Sequence, residues 1–243
     1  MIRSDAQFVG VGVGPGDPGL ITLKAADWIR SADVVSYIEG SRGKSQARHI
    51  AGELLDQAKD GQRELAILMP MNENRSAANQ AYDQAARDIQ QAIDAGERVV
   101  FLCEGDPLFF GSFIYLMSRL AHNRCEVVPG ICSVNAASSA LRVPLTLLNE
   151  SFAVVTGRHS DAMLVEALEQ HDSVVIMKAG RARPRILAAL SRTGRRADAA
   201  YCEYLGRENE LIETDIDRLD DAPGPYFSLF VITRRDREQL CDA

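Results

Sequence analysis

Two stretches hold the residue types from which a small-molecule site can be built. Residues 103–112 read CEGDPLFFGS, and residues 10–19 read GVGVGPGDPG. Each sets Gly-Asp-Pro close behind a short apolar run and ahead of a helical pattern. In the later of the two loops, Glu104 and Asp106 flank Gly105, and Phe109 and Phe110 follow. That composition is too acidic for a phosphate cradle and too apolar for a turn that only meets solvent.

The earlier loop contains G-x-G-x-x-G at Gly14, Gly16 and Gly19, and Glu39 follows at about the 20-residue offset of the dinucleotide fingerprint. The chemistry argues against that reading. A dinucleotide fold holds pyrophosphate on backbone N–H groups at a helix N-terminus. Here Pro15 and Pro18 each lack that donor, and Asp17 sets a carboxylate where the phosphates would lie. The plain reading of the segment is a tight Gly-Pro turn with Asp17 capping the next helix, against which a ligand can still rest.

The elements that must position these loops follow from hydrophobic periodicity. Strands are predicted over 7–13, 34–38, 64–69, 98–103 and 125–130. Helices are predicted over 20–31, 45–58, 76–96 and from Phe113 to Leu120. Ser76 is the expected N-cap of the third helix and Gly96 its C-cap. This alternation predicts an α/β unit with a mostly parallel sheet. The rhythm restarts after Pro144. Strands are predicted over 152–157 and 173–180, and helices over 161–170 and 184–194. Pro184 is placed in a first turn and Gly194 at a C-cap. Three further strands follow, over 198–205, 208–214 and 226–233, and the last two are expected to pair antiparallel. The chain is therefore read as two α/β domains, 1–147 and 148–243.

Composition narrows the class. With 243 residues, 46% of them hydrophobic, the chain can bury a core. Twenty-seven basic against 34 acidic residues give a net charge of -7, which opposes general nucleic-acid binding. A local basic patch can still recruit an anion. The five cysteines are Cys103, Cys125, Cys132, Cys202 and Cys241. They are scattered without a CxxC pair, so reduced thiols in a cytoplasmic protein are expected, and no zinc site. The first ten residues show no apolar signal-peptide core, and no apolar run approaches the ~20 residues that span a bilayer.

Four segments taken in order carry a resemblance: GVGPGDPGLITLKA, CEGDPLFFGSFIYL, VVPGICSVNAASSALRVPL and VVIMKAGR. Together they resemble the tetrapyrrole methylase family, whose members use S-adenosyl-L-methionine (SAM), and the likeness covers nearly the whole chain. GKSQAR, NRSAANQAYDQAA, the Phe-Phe-Gly-Ser-Phe continuation and PYFSLFV resemble the branch that methylates carbon 20 of precorrin-2 in cobalamin biosynthesis. The resemblance implies two α/β domains with SAM in the cleft between them, a homodimer, and no metal required by the protein. Left open are a family member acting on another ring position and a tetrapyrrole- or SAM-binding protein without turnover.

The resemblance assigns SAM contacts residue by residue. They are Pro15 in the first loop; Glu104, Gly105, Asp106 and Phe109 in the second; Ser133 and Val134 after the PGICSV turn; Met177; and Tyr204 with Leu205. At the last pair the chain departs from the family, where Glu-x-Gly is common; here Glu203, Tyr204 and Leu205 precede Gly206. A sulfonium cation tolerates an acidic loop, and a residue without a Cβ lets a ligand approach the backbone. The substrate implied is a flat polycarboxylate, so cations after strand ends are its candidate partners. Arg42, Lys44, Lys178 and Arg181 lead that group, with Arg48, Arg158, His159 and Arg183 beside them. No residue is singled out as a catalytic base.

Overall fold

A computed structural model describes residues 6–40, 43–70, 75–120 and 125–234. The chain divides into two compact units, Met1–Ser133 and Val134–Ala243. The division falls earlier than the expected boundary at 147/148.

In the first unit, strands β1 (Phe8–Gly12), β2 (Val34–Glu39), β3 (Arg63–Leu68), β4 (Val99–Cys103) and β5 (Cys125–Val128) form one sheet. Its order is β3-β2-β4-β1-β5, and every pairing is parallel. Parallel sheets covered on both faces need strands that are apolar throughout rather than alternating. β1 and β4 meet that demand, being buried at every position. Their alternate residues serve opposite faces. Val9, Val11, Val100 and Leu102 pack with Trp28 and Ile29 of α1 (Leu23–Ser31) and with Ala47 and Ile50 of α2 (Gln46–Ile50). Phe8, Val99, Phe101 and Cys103 pack with Ile89 and Ile93 of α4 (Arg75–Asp94) and with Phe113 and Leu116 of α5 (Phe113–Met117).

Several boundaries differ from the periodicity. The segment read as a helix over 20–31 opens with a short 3₁₀ turn, Pro18–Leu20, and α1 begins only after Thr22, whose hydroxyl accepts from the Ala25 N–H at 3.1 Å. The helix expected over 45–58 breaks at Ala51 into α2 and α3 (Gly52–Asp56). Glycine there removes helix propensity at the junction. α4 starts at Arg75, so Ser76 lies inside it rather than capping it. Its far end does close at Gly96, where the Gly96 N–H reaches the Ile93 carbonyl and Glu97 reaches Ala92.

The second unit holds α6 (Ser133–Leu141, all but its first residue), α7 (Asp161–Gln170), α8 (Arg183–Arg192) and strands β6 (Phe152–Thr156), β7 (Ser173–Met177), β8 (Ala199–Glu203), β9 (Leu211–Glu213) and β10 (Ser228–Ile232). The sheet order is β6-β7-β10-β8-β9. β6 and β7 are parallel, and the other pairings are antiparallel. The expected pairing of the last two strands is not formed. β10 inserts between β7 and β8, while β9 takes the far side of β8. The apolar SLFVI of β10, buried throughout, suits a central strand; LIE, with two exposed residues, suits an edge. α7 and α8 cover one face, through Leu164, Leu168, Ile186 and Leu190 against Val174, Ile176, Tyr201 and Phe230. Pro184 sits in the first turn of α8, and Gly194 ends it by donating to the Ser191 carbonyl.

Candidate active site

At the carboxyl edge of the parallel sheet three loops meet backbone to backbone. Val13 donates to the Cys103 carbonyl at 2.9 Å. One step on, Gly14 and Gly105 form an antiparallel bridge, with the Gly105 N–H donating to the Gly14 carbonyl at 2.8 Å and the Gly14 N–H returning to the Gly105 carbonyl at 3.4 Å. The third loop leaves β5 at Gly130. A Cβ on Gly12 would lie 2.5 Å from the Gly105 carbonyl oxygen and 2.6 Å from the Gly130 Cα, and a Cβ on Gly130 would strike that same oxygen. Side chains are excluded there because three backbones occupy the space.

Asp106 ties the set together. Its Oδ1 accepts from the Leu108 N–H at 2.9 Å and the Phe109 N–H at 3.1 Å, and its Oδ2 accepts from the Gly130 N–H at 3.1 Å. The carboxylate therefore builds the 106–109 turn and also fastens that turn to the β5 exit. Charge-assisted bonds to backbone N–H groups are among the stronger hydrogen bonds available. Asp17 acts more locally, accepting from Gly19 at 2.7 Å as the cap of the 3₁₀ turn. Phe109 and Phe110 meet edge to face with centroids 5.1 Å apart; Phe109 is partly buried and Phe110 exposed. Beneath the loops, burial pushes the Cys103 thiol far up, with Asp106 and Glu104 adding to the effect after the Phe113 N–H partly offsets it. It is a neutral core residue.

Gly105 adopts φ +68, and its hypothetical Cβ would have no atom nearer than 3.8 Å. The requirement for glycine is thus conformational. A methyl group would fit there, so the left-handed backbone is what excludes other residues.

In the second unit the assigned residues also sit at strand ends. Met177 ends β7, and Lys178 follows with φ +53. Tyr204 follows β8 with φ +50 and donates its N–H to the Phe227 carbonyl at 2.9 Å, while Leu205 is buried. Left-handed non-glycine residues are costly and concentrate at functional sites. Phe110, Lys178 and Tyr204 all have this backbone, and each lies in or directly beside an assigned segment.

The cations divide. Arg48 makes a two-pronged ion pair with Glu64, at 2.8 and 2.9 Å. Arg183, only 8% exposed, donates to the Ala222 carbonyl at 2.6 Å, pairs with Asp220 and lies 3.7 Å from Glu203. Arg183 is thereby removed from the candidate rim. Burial, with the Glu203 carboxylate as acceptor, pushes the Tyr201 hydroxyl in the same network up to about 12 despite its contact with Ser228. His159 is turned inward, its Nδ1 accepting from the Thr156 N–H at 3.2 Å. Lys44, Arg158 and Arg181 are exposed. Arg42 lies outside the described residues.

Sequence reasoning passed over an aromatic cluster beside Tyr204. Tyr226 meets Phe227 edge to face at 5.1 Å, and the Arg207 guanidinium carbon sits 3.9 Å from the Phe227 ring centroid. The signal lies in PYFSLFV, whose adjacent Tyr226 and Phe227 precede the apolar run of β10. Among the described residues no cluster of histidine, cysteine and carboxylate groups suits a metal ion, and no helix is long and apolar enough to cross a membrane.

An all-parallel unit whose glycine loops meet at the carboxyl edge, followed by a mixed-sheet unit, has counterparts among known proteins. The family model for tetrapyrrole (corrin/porphyrin) methylases matches residues 7–220. The chain belongs to the tetrapyrrole methylase family. It is 34% identical over 235 residues to a precorrin-2 C(20)-methyltransferase of Sinorhizobium, covering 93% of this chain and 94% of that one. It is 36% identical over 240 residues to the cobalamin biosynthesis protein CobIJ of Mycobacterium bovis, covering 95% of this chain but only 46% of the relative, so it spans about half that protein's length. In fold it is similar to uroporphyrin-III C-methyltransferase of Thermus thermophilus complexed with S-adenyl homocysteine, with TM-score 0.62, 23% identity and coverage of 94% and 97%.

Proposed function

We propose that the protein transfers the methyl group of SAM to carbon 20 of precorrin-2 or cobalt-precorrin-2, giving precorrin-3A or its cobalt form. The near end-to-end match to the Sinorhizobium enzyme carries the choice of carbon. The paired loops at Gly14 and Gly105 carry the choice of methyl donor.

The residues present fit that donor. Pro15 and Pro18 deny a pyrophosphate two of the N–H groups it would need, whereas a sulfonium has no such need. The partly buried carboxylates of Glu104 and Asp106 favour a cation over an anion nearby. Pro15, Glu104, Gly105, Asp106, Phe109, Ser133 and Val134 are the proposed contacts from one end of the chain, and Met177, Tyr204 and Leu205 from the other. Asp106 acts by holding the loop, its oxygens being engaged by backbone N–H groups.

The donor supplies a methyl group that is already activated, so no metal and no covalent enzyme intermediate are needed. The chain's task is to hold the carbon that attacks at ~3–3.5 Å, in line with the bond that breaks, and to keep water out. The carbon 20 position of a reduced tetrapyrrole is electron-rich and needs little help from a base before it attacks. Lys44, Lys178 and Arg181, with Arg42, are proposed to meet the substrate carboxylates. We further propose a homodimer, as the family resemblance implies, working in the cytoplasm, as the scattered cysteines without a CxxC pair suggest.

Calorimetry tests the cofactor reading. S-adenosylhomocysteine should bind without added metal, and NAD(H) should not. Binding of NAD(H) alone would refute it.

A further inference from the structure

We infer that Arg183 is a positioning residue. Its buried guanidinium joins three chain segments and so fixes the left-handed turns at Lys178 and Tyr204, where the second unit's proposed contacts sit. The inference rests on the proposed cofactor contacts and names what holds them in place.

β10 enters the sheet between β7 and β8, with Ser228 opposite Glu203 and Leu229 opposite Met177. Both neighbours leave the sheet at that point. Lys178 and Tyr204, the first residues past β7 and β8, have φ +53 and +50. Each turn is pinned to the start of β10. The Ala179 N–H donates to the Ser228 carbonyl at 3.1 Å, and the Tyr204 N–H to the Phe227 carbonyl at 2.9 Å. A non-glycine residue keeps a left-handed backbone only where its surroundings over-determine it. The two turns are therefore only as fixed as the segment 220–227 that leads into β10.

Arg183 holds that segment. It opens α8, a short way past Lys178. Its Nε donates to the Ala222 carbonyl at 2.6 Å, one terminal nitrogen pairs with Asp220, and the other lies 3.7 Å from Glu203, the residue before Tyr204. The guanidinium carbon also sits 5.7 Å from the Tyr201 ring centroid, and the Tyr201 hydroxyl donates to the same Glu203 carboxylate at 2.8 Å. One planar fork thus ties together the exit of β7, the exit of β8 and the entry of β10. The chain closes tightly round it. A Cβ on Gly180 would lie 2.3 Å from the Pro225 carbonyl oxygen, and one on Gly224 would lie 2.4 Å from the Tyr201 hydroxyl. Arginine suits the position and lysine does not, because its donors are spread in one rigid plane. Buried ion pairs add little net stability over apolar packing of the same shape. What this cluster contributes is one fixed arrangement of the three segments.

The test compares Arg183→Lys, Asp220→Asn and the unaltered protein, each well below its thermal midpoint. Arg183→Lys keeps the charge and loses the fork; Asp220→Asn weakens one arm at a carboxylate that is 73% exposed. Two readouts are taken: S-adenosylhomocysteine affinity by calorimetry, and amide hydrogen exchange in peptides covering 178–182 and 203–207, with β6 as the control. Arg183→Lys should weaken S-adenosylhomocysteine binding by about tenfold, the size of one charge-assisted contact. It should also speed exchange in both peptides and leave β6 unchanged. Asp220→Asn should move both readouts the same way by less. A lower thermal midpoint with unchanged S-adenosylhomocysteine affinity would mean a merely structural role and overturns the inference, and so does unchanged exchange in both peptides. If Arg183→Lys fails to fold, Asp220→Asn decides. Should the unaltered protein not bind S-adenosylhomocysteine, the proposed cofactor reading fails, and hydrogen exchange still judges whether Arg183 fixes the two turns.

Discussion

Gly14 and Gly105 exchange backbone hydrogen bonds across two loops that are 91 positions apart in the chain, an antiparallel bridge just past the point where the parallel pairing of β1 with β4 ends. The carboxylate of Asp106 then fastens the joined loops to Gly130. The binding surface proposed for the first unit is therefore mostly backbone, and its shape depends on residues that need not touch a ligand.

Asp106→Asn tests that dependence. The amide oxygen can still accept from Leu108 and Phe109, but the amide nitrogen faces the Gly130 N–H donor to donor. We expect a loss of about 1–3 kcal/mol in stability and about tenfold weaker S-adenosylhomocysteine binding. Denaturant melts and calorimetry give the two numbers. Unchanged affinity in the variant would detach the β5 exit from the site. Gly130→Ala should be at least as damaging, since its methyl group would collide with the Gly105 carbonyl.

The thiols should divide by burial. Cys103 and Cys202 are buried, and burial pushes Cys103 far up and Cys202 up to about 12. Cys125 and Cys132 are only partly buried. The thiolate is the species that reacts. Brief treatment of the native protein with iodoacetamide at pH 8, read by peptide mass spectrometry, should label Cys125 and Cys132 well before Cys103 and Cys202. Early labelling of Cys103 would contradict the packing of β4 against α5.

The Arg48–Glu64 pair makes an acid-side prediction. The hydrogen bond from Arg48 holds the Glu64 carboxyl below its ordinary value of 4.5, against an opposing effect of burial. A carboxylate lowered in the folded state stabilises the fold above its unfolded value, and the stabilisation fades as pH falls through the lowered value. The thermal midpoint should therefore fall below about pH 4.5, and Glu64→Gln should flatten part of that slope while lowering the midpoint slightly at neutral pH. Both side chains are substantially exposed, so the effect will be modest and will shrink in salt. Identical pH profiles for the two proteins would count against the pair.

The strand-helix alternation of the first unit was legible because β1 and β4 are continuously apolar and α4 is long and periodic. The two Gly-Asp-Pro loops were legible as loops of interest, since their acids and prolines rule out a phosphate cradle. Other features needed three dimensions. The apolar run of β10 suits a central strand, but nothing local names β7 and β8 as its neighbours. Arg183 resembles any strand-end cation until Asp220, 37 residues on, is found beside it. The left-handed backbones of Phe110, Lys178 and Tyr204 fall on residues that carry no glycine signal, so the sequence left no trace of them. The stacking of Arg207 on Phe227 joins two loops from either side of β9.

The central claim is the carbon that receives the methyl group. The direct measurement incubates the purified protein with precorrin-2 and SAM carrying a carbon-13 methyl, then locates the label by NMR, with cobalt-precorrin-2 in parallel. The account predicts one added methyl, at carbon 20, from at least one of the two substrates, with S-adenosylhomocysteine formed in equal amount. A label at any other carbon, or no transfer from folded protein that binds S-adenosylhomocysteine, would contradict it.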